Sequence, residues 1–411
     1  MNLTILMVYF LLFFALYFEV FLLVNYVFET ISNKKIQNNY LSDKNNLYPS
    51  VTIIVPAWNE EKTIRKTLES LTNLNYPNDK LSIIVVDDGS TDNTFNVAKS
   101  IKNSKITVLK KKNGGKHSAL NYAMQFVNSE IVGSLDADSF VEKNSLQLLI
   151  AHFKNPEIAA VTAGIKANNT KGFLQSIQKT EYDMLIFIRK AFSLADSLFI
   201  TPGPFSLFRK SILDKIGYWK HAHMTEDLEM GLRLQKNNYK IANEPKAIVY
   251  TNVPESPVAL YKQRERWAYG FINNIFENKN LLLNPKYGNL GILILPMAML
   301  SSGLILFWSI ASIFTLLDNL INLLTKAFIA GFDFSFSFGI FSISLSVGVI
   351  ILMIIITIYM VSLMIGKRLS KDKELNLTGL VLYLIFYRFF VPIWITSAYF
   401  KVFTKKKSKW R

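Results

Sequence analysis

The 411-residue chain contains no cysteine. A disulfide scaffold and a thiolate-held zinc centre are therefore excluded. Charge is also scarce: Asp, Glu, Lys and Arg make up 18% of the chain, against roughly 25% in an average soluble protein. The shortage is local. Residues 290–317 and 334–366 hold no charged side chain, 375–400 is interrupted only by Arg388, and 3–28 holds only Glu19. A helix that crosses a bilayer needs about 20 largely apolar residues, so each of these stretches is a candidate span. Two phosphate-binding signatures are missing as well. No dinucleotide glycine pattern follows the first strand-like run, and Gly114-Gly115-Lys116 lacks the spacing of a phosphate loop, which argues against nicotinamide, flavin and Walker-type enzymes. With 50% of residues apolar, a disordered chain is excluded too.

What is present begins with the arrangement of charge around the apolar blocks. No Lys or Arg precedes 3–28, whereas Asn33, Lys34 and Lys35 follow it, so the stretch reads as a retained anchor and not as a cleaved signal peptide. Lys34, Lys35 and Lys44 put the next segment in the cytoplasm. At the other end, Lys401, Lys405, Lys406, Lys407, Lys409 and Arg411 suit an anionic membrane surface. Beside a membrane helix, such a run points to lipids and not to nucleic acid. Three C-terminal spans would put this tail outside, and a cytoplasmic tail needs an even number. Either 318–331, which holds Lys326, contributes a further span, or the last stretch folds back near Pro392. Both remain open at this point. The expected organisation is an anchor at 1–30, a linker at 31–49, a cytoplasmic domain at 50–255, amphipathic interface helices at 256–288, transmembrane helices at 289–402 and a basic tail at 403–411.

Within the domain, 51–55 and 83–86 are short β-branched runs, with weaker ones at 106–109 and 131–135. Helical patterns follow at 61–71, 92–101 and 116–126. Strands alternating with helices predict a parallel, doubly wound α/β sheet covered on both faces. In such a sheet, ligands bind beyond the carboxyl ends of the strands. Those ends carry Glu60 and Glu61, then Asp87 and Asp88, then Gly114, Gly115, Lys116 and His117, then Asp136 and Asp138. Acids concentrate on one edge. Each group also has a plainer reading: 88–92 as a turn with a helix cap, and 136–138 as a polar loop. The chemical reading of Asp136 and Asp138 is a hard cation, Mg²⁺ or Mn²⁺, sharing its shell with substrate phosphates.

Farther on, His221, His223, Thr225, Glu226 and Asp227 precede a helical pattern at 228–236. Helix capping explains Thr225 and the acids after it. A general base at the mouth of the site explains Asp227 equally well. Two histidines alone are weak grounds for zinc. In a helical segment before the main apolar block, Gln263, Arg266 and Trp267 share a face. They can anchor an interfacial helix, or offer a planar cation to a diphosphate and a flat ring to a sugar.

Five motifs taken in order resemble the membrane-integrated family 2 glycosyltransferases, a group that includes cellulose, chitin, hyaluronan and poly-N-acetylglucosamine synthases. They are Val-Pro-Ala-Trp-Asn-Glu-Glu at 55–61, Val-Asp-Asp-Gly-Ser-Thr-Asp at 86–92, Asp-x-Asp at 136–138, Thr-Glu-Asp at 225–227 and Gln-x-x-Arg-Trp at 263–267. The resemblance implies a GT-A type α/β domain with a mixed sheet that binds a nucleotide sugar, expected to be UDP-linked, plus an α-helical transmembrane region. It gives Asp88 to the uridine, Glu60 and Lys116 to the nucleotide pocket, Asp138 to the metal, and Asp136 to the ribose or the metal. Asp227 becomes the catalytic base. Gln263, Arg266 and Trp267 clamp the diphosphate and the acceptor sugar, and Gly203 falls in an acceptor-side loop. The implied reaction inverts the anomeric carbon and builds a β-linked polysaccharide that is extruded across the membrane. The alternative is transfer of a single sugar to a membrane lipid or glycolipid. A transporter with a nucleotide-sensing domain would need charged or broken spans, and little beyond Glu19, Arg388, Pro296 and Pro392 interrupts them.

Overall fold

The computed structural model describes residues 3–32, 48–330, 347–372 and 376–406. Lys34, Lys35 and Lys44 of the linker, the start of the 334–366 stretch, and Lys407, Lys409 and Arg411 of the tail lie outside the described residues, as do the side chains of Trp308, Lys326 and Arg388.

The strands are β1 Val51–Ala57, β2 Leu81–Asp87, β3 Ile106–Lys110, β4 Ile131–Ser134, β5 Ser139–Val141, β6 Ile158–Ala167, β7 Ser206–Arg209 and β8 Lys240–Thr251. They form one sheet in the order β3-β2-β1-β4-β7-β6-β8-β5. The first four run parallel, as the alternation of strands and helices implies. The doubly wound pattern stops there, and the sheet is mixed. β7 is antiparallel to both β4 and β6, and β5 is antiparallel to β8. The cause lies in the connection. After the helix Phe173–Leu194 the chain passes through Thr201-Pro202-Gly203-Pro204, and Gly203 touches Asp136 beyond the carboxyl end of β4. A strand entered from that end runs back down beside β4, with Ser206 opposite Ser134.

Every residue of β1 is buried. Ile53 and Val55 join Leu68, Leu71, Val85 and Phe205 in one core, while Ile54 joins Ile84, Val86, Leu120 and Phe208 in another. A sheet covered on both faces needs an unbroken apolar run, which is why period-2 alternation is missing from this strand. Each fully buried aliphatic side chain contributes about 1.5–3 kcal/mol relative to exposure. The register of β1 with β4 ends at Ile54 and Ser134, but its register with β2 continues to Ala57 and Asp87. Beyond Ile54, β1 therefore has a ladder neighbour on one side only. Pro56 is tolerated there because the missing N–H is not required by a second neighbour. The same divergence opens a crevice between the ends of β1 and β4.

A third core joins the domain to the apolar helices. Leu22 of the helix Leu3–Ser32 packs with Phe187, Leu228, Leu232, Ile275, Leu363 and Leu380. Among the described residues, one helical stretch, Leu290–Phe307, is long and apolar enough to cross a membrane. A second is reached if Leu377–Ile385 and Phe390–Phe403, bent by 49°, count as one. The helix Leu295–Ala330 runs unbroken through Asp318, so 318–330 extends the preceding helix instead of forming a separate loop.

Candidate active site

The loops after β1 and β2 are stitched together by short side chains. Asn59, held at φ 57°, donates its backbone N–H to Ser90 Oγ (3.0 Å), and its Oδ1 accepts from Thr91 N (2.9 Å). Asp87 Oδ1 accepts from Ser90 N. Asp88 is buried, and its carboxylate accepts from Lys111 Nζ at 2.7 Å, Gly114 N at 3.1 Å and Gly115 N at 2.7 Å. Gly115 has φ 85°, a conformation that a side chain would strain. Asp88 thus shapes the glycine turn that starts the helix Lys116–Met124 and sets where Lys116 stands. That role was not foreseen for it. Glu60 Oε2 accepts from Thr63 Oγ1 at 2.7 Å.

Lys116 reaches into the crevice. Its Nζ lies 2.6 Å from Asp136 Oδ1 and 3.0 Å from Glu226 Oε1. Burial opposes its charge, but Asp136, Glu226 and Asp227 outweigh that and raise its pKa, so the ammonium is kept. A Cβ at Gly203 would meet the Lys116 ammonium and the Asp136 carboxylate, so a larger residue there would push this pair from its present position. Asp138 follows on the same turn, where Ser139 Oγ donates to its Oδ1 at 3.1 Å. Burial and the carboxylates of Asp136 and Glu60 push Asp138 up to about 7. Crowded acids of this kind are the donor set a hard divalent cation prefers. No cluster of three or more Asp, Glu or His forms a cage among the described residues. Two carboxylates suit a Mg²⁺ or Mn²⁺ ion that completes its shell with substrate phosphate and water.

Asp227 stands at the start of the helix Glu226–Lys236. Its Oδ1 accepts from Leu228 N at 2.9 Å, and Thr201 Oγ1 donates to its main-chain oxygen at 2.8 Å. Burial and the neighbouring Glu226 push its carboxyl up to about 6, against the pull of Lys116 and Arg266. Thr225 occupies the N-cap position, yet its side chain makes no cap bond and donates to Ala222 O instead. Capping alone therefore does not account for the motif. The preceding turn is unusual: Ala222, His223 and Met224 have φ values of 42°, 55° and 65°. Three successive non-glycine residues in this region store strain, which the surroundings must hold in place.

The helix Pro257–Glu277 supplies that support. Arg266 Nη1 donates to Met224 O at 2.8 Å. Asn274, fully buried, donates to Thr225 Oγ1 at 2.9 Å and Ala222 O at 3.2 Å. Gly270 lies between them, and any Cβ there would strike the Thr225 side chain. Gly270→Val should therefore displace the turn that aims Asp227. Misplacement on the order of 1 Å costs about 10²-fold in turnover, so kcat should fall by about that factor while the donor KM stays near wild type. Unchanged steady-state kinetics would show that the turn has no such role.

Gln263 turns its Oε1 into a buried position without a hydrogen-bond partner among the described residues. One face of Trp267 is covered by the Arg264 guanidinium, 4.1 Å from the ring centroid. Arg264 in turn pairs with Glu181 at 2.6 Å. A cation thus backs one face of the Trp267 ring. His221 packs edge-on against His117, and His223 bonds Glu277 at 2.7 Å. The two histidines point to different partners, which disposes of a shared zinc.

Sequence reasoning missed Glu226 as the second anchor of Lys116, Asn274 and Gly270 as supports, and Arg189. Arg189 lies on the helix Phe173–Leu194; burial lowers its pKa, and Tyr182, Asp227 and Glu181 favour its charge. Its buried Nη1 has no hydrogen-bond partner among the described residues. The Arg189-Lys190 pair directly after the apolar run 184–188 was the available signal.

Residues 49–270 match the family model described as "Glycosyltransferase like family 2". Poly-beta-1,6-N-acetyl-D-glucosamine synthase of Staphylococcus epidermidis is 33% identical over 268 residues, which is 64% of this chain and 64% of that protein. The Staphylococcus aureus (strain COL) protein of the same name is 37% identical over 224 residues, 54% of each chain. The chain thus spans just under two thirds of the first relative and about half of the second. Among solved structures, the mannosyltransferase PcManGT from Pyrobaculum calidifontis, in complex with GDP-Man and Mn2+, aligns with a TM-score of 0.51 at 19% identity, over 90% of this chain and 99% of that one. At that identity the likeness is one of fold, the GT-A type with its mixed sheet.

Proposed function

The chain belongs to glycosyltransferase family 2, and from that premise we propose that it builds a β-linked polysaccharide from a nucleotide sugar with inversion at the anomeric carbon. One observation carries the reading: Asp227, its carboxyl pushed up to about 6, shares one crevice with the Lys116–Asp136–Glu226 cluster and Arg266. A base and fixed cations around a single crevice suit attack by a hydroxyl on a carbon that bears a diphosphate. Asp227 takes the proton of the acceptor hydroxyl. The oxygen attacks the anomeric carbon opposite the diphosphate, and the bond to the diphosphate breaks, leaving its electrons on phosphate oxygen. Arg266 stabilises the charge that develops there. A divalent cation held by Asp138 and Asp136 would neutralise the diphosphate as a leaving group. Lys116, fixed by Asp88 through the glycine turn, lines the nucleotide pocket with Glu60. Gln263 and Trp267 hold the acceptor end, and Gly203 leaves it room.

The names of the relatives support N-acetylglucosamine as the transferred sugar and a growing poly-N-acetylglucosamine chain as acceptor; UDP as the carrier is what the motif resemblance implies. The apolar stretch Leu290–Phe307 and the uncharged runs around it support an integral protein of the cell membrane with its catalytic domain in the cytoplasm. The test is to give purified protein radiolabelled UDP-N-acetylglucosamine and size the product. Long polymer is expected. A single sugar on a lipid, at any reaction time, would replace the synthase with a lipid transferase.

A further inference from the structure

We infer that the last apolar stretch, 377–403, does not cross the membrane but lies along the domain-side leaflet with both of its ends at the catalytic domain. The inference rests on the membrane reading above. The stretch enters beside the domain. Lys367 pairs with Asp183 at 3.1 Å, Lys166 of β6 donates to Ser370 O at 3.0 Å, and Asn376 Nδ2 donates to Ser176 Oγ at 2.6 Å. It also leaves beside the domain. Tyr261 donates to Ser397 Oγ at 2.7 Å, and Lys401 pairs with the buried Glu265 at 2.8 Å. Tyr261 and Glu265 belong to the helix that carries Gln263, Arg266 and Trp267.

Between those ends, one side of the stretch packs on the domain and on the neighbouring apolar helices, where Tyr383 bonds Tyr359 of the helix Val347–Leu369 at 2.8 Å and Tyr399 bonds Ser302 of the helix Leu295–Ala330 at 2.9 Å. Tyr387 and Trp394 meet Ile177, and Ala398 and Tyr399 meet Tyr269 and Ile272. Leu377, Val381 and Ile385 are exposed at successive turns of the first limb, and Ile393, Phe400 and Phe403 are exposed on the second. A continuous apolar face opposite a domain-bound face, ending at Lys401, Lys405 and Lys406, fits acyl chains and anionic headgroups of one leaflet. The 49° bend leaves two limbs, each shorter than the about 20 residues a span requires. A helix that crossed the bilayer would carry Lys401 away from Glu265. The parity conflict in the sequence thus resolves with the basic tail on the domain side, and the elbow holds the acceptor-side helix at the membrane surface.

The absence of cysteine makes the test direct. Lys154→Cys in the domain, Lys371→Cys before the stretch and Lys406→Cys after it would each be the sole thiol, probed with a membrane-impermeant maleimide in intact cells and in inside-out vesicles. All three are expected to label in the vesicles and not in the cells. Lys406→Cys labelled on the face opposite Lys371→Cys would overturn the arrangement while leaving the membrane reading intact. Release of the whole chain by alkaline carbonate would overturn the membrane reading and the arrangement with it. Labelling of all three only from outside the cell would refute the cytoplasmic domain and keep the two ends on one side.

Discussion

Asp227→Asn should bind the donor nucleotide nearly as well as the wild type and turn it over slower by about two to four orders of magnitude. The amide keeps the size and the bond from Leu228 N, and it removes only the proton acceptor. The pH profile carries the same information. Burial and Glu226 push Asp227 up to about 6, and only the ionised form accepts a proton. With metal saturating, activity should therefore be level above about 6 and decline about tenfold per unit as the pH falls below it. In the Asn variant the residual rate should lose that acid limb. Calorimetry of nucleotide binding beside kcat against pH would separate the two effects. A variant that turned over normally would leave Asp227 as a helix-terminal residue and no more.

Chelation should stop transfer, and Mg²⁺ or Mn²⁺ should restore it. Asp138→Ala should lower kcat/KM by about 100-fold or more, since a cation at a departing diphosphate contributes several kcal/mol. The direction of the pH effect follows from the crowding. Without a cation, burial, Asp136 and Glu60 push Asp138 up to about 7, so metal and proton compete for it. The metal concentration for half-maximal nucleotide binding should rise as the pH drops below 7. That dependence should disappear in Asp138→Ala, whose nucleotide binding should no longer respond to metal. Full transfer in excess chelator would remove the cation from the reaction.

In the parallel half of the sheet, β1, β2 and β4 were legible because they are buried on both faces and end in acids, while the edge strand β3 is neither and gave a weaker signal. Ile53, Ile54 and Val55 form a run without alternation, and Asp88 and Asp138 mark where runs of this kind stop. The return strands were not legible. β7 is four residues long, and β8 contains Pro245 and has irregular register with β6. Their identity as strands depends on neighbours far along the chain. Single acids of the site were visible as motifs, but their partnerships were not. Lys116 meets Glu226 only because the mixed sheet brings the ends of distant segments together. The left-handed turn Ala222–Met224 leaves no trace in residue type, since none of its three residues is glycine or asparagine. Gly270 and Asn274 sit about one and two turns beyond a motif that ends at Trp267, and nothing in their spacing announces what they hold.

The core that joins Leu22 to Leu228, Leu232, Leu363 and Leu380 also imposes a timetable on synthesis. Its first member is made at the outset and its last near the end. At about 5–20 residues per second, the domain's apolar underside waits roughly 5–20 s between the completion of its own helices and the arrival of Leu363 and Leu380. Through that interval lipid or a chaperone must cover it, because contacts between distant parts of a chain close late. A chain stopped at Ala330 would contain every residue named in the active site and leave this surface open. Loss of activity on such a truncation would therefore combine exposure of this surface during translation with loss of the contacts from Ser397 and Lys401 to the acceptor-side helix.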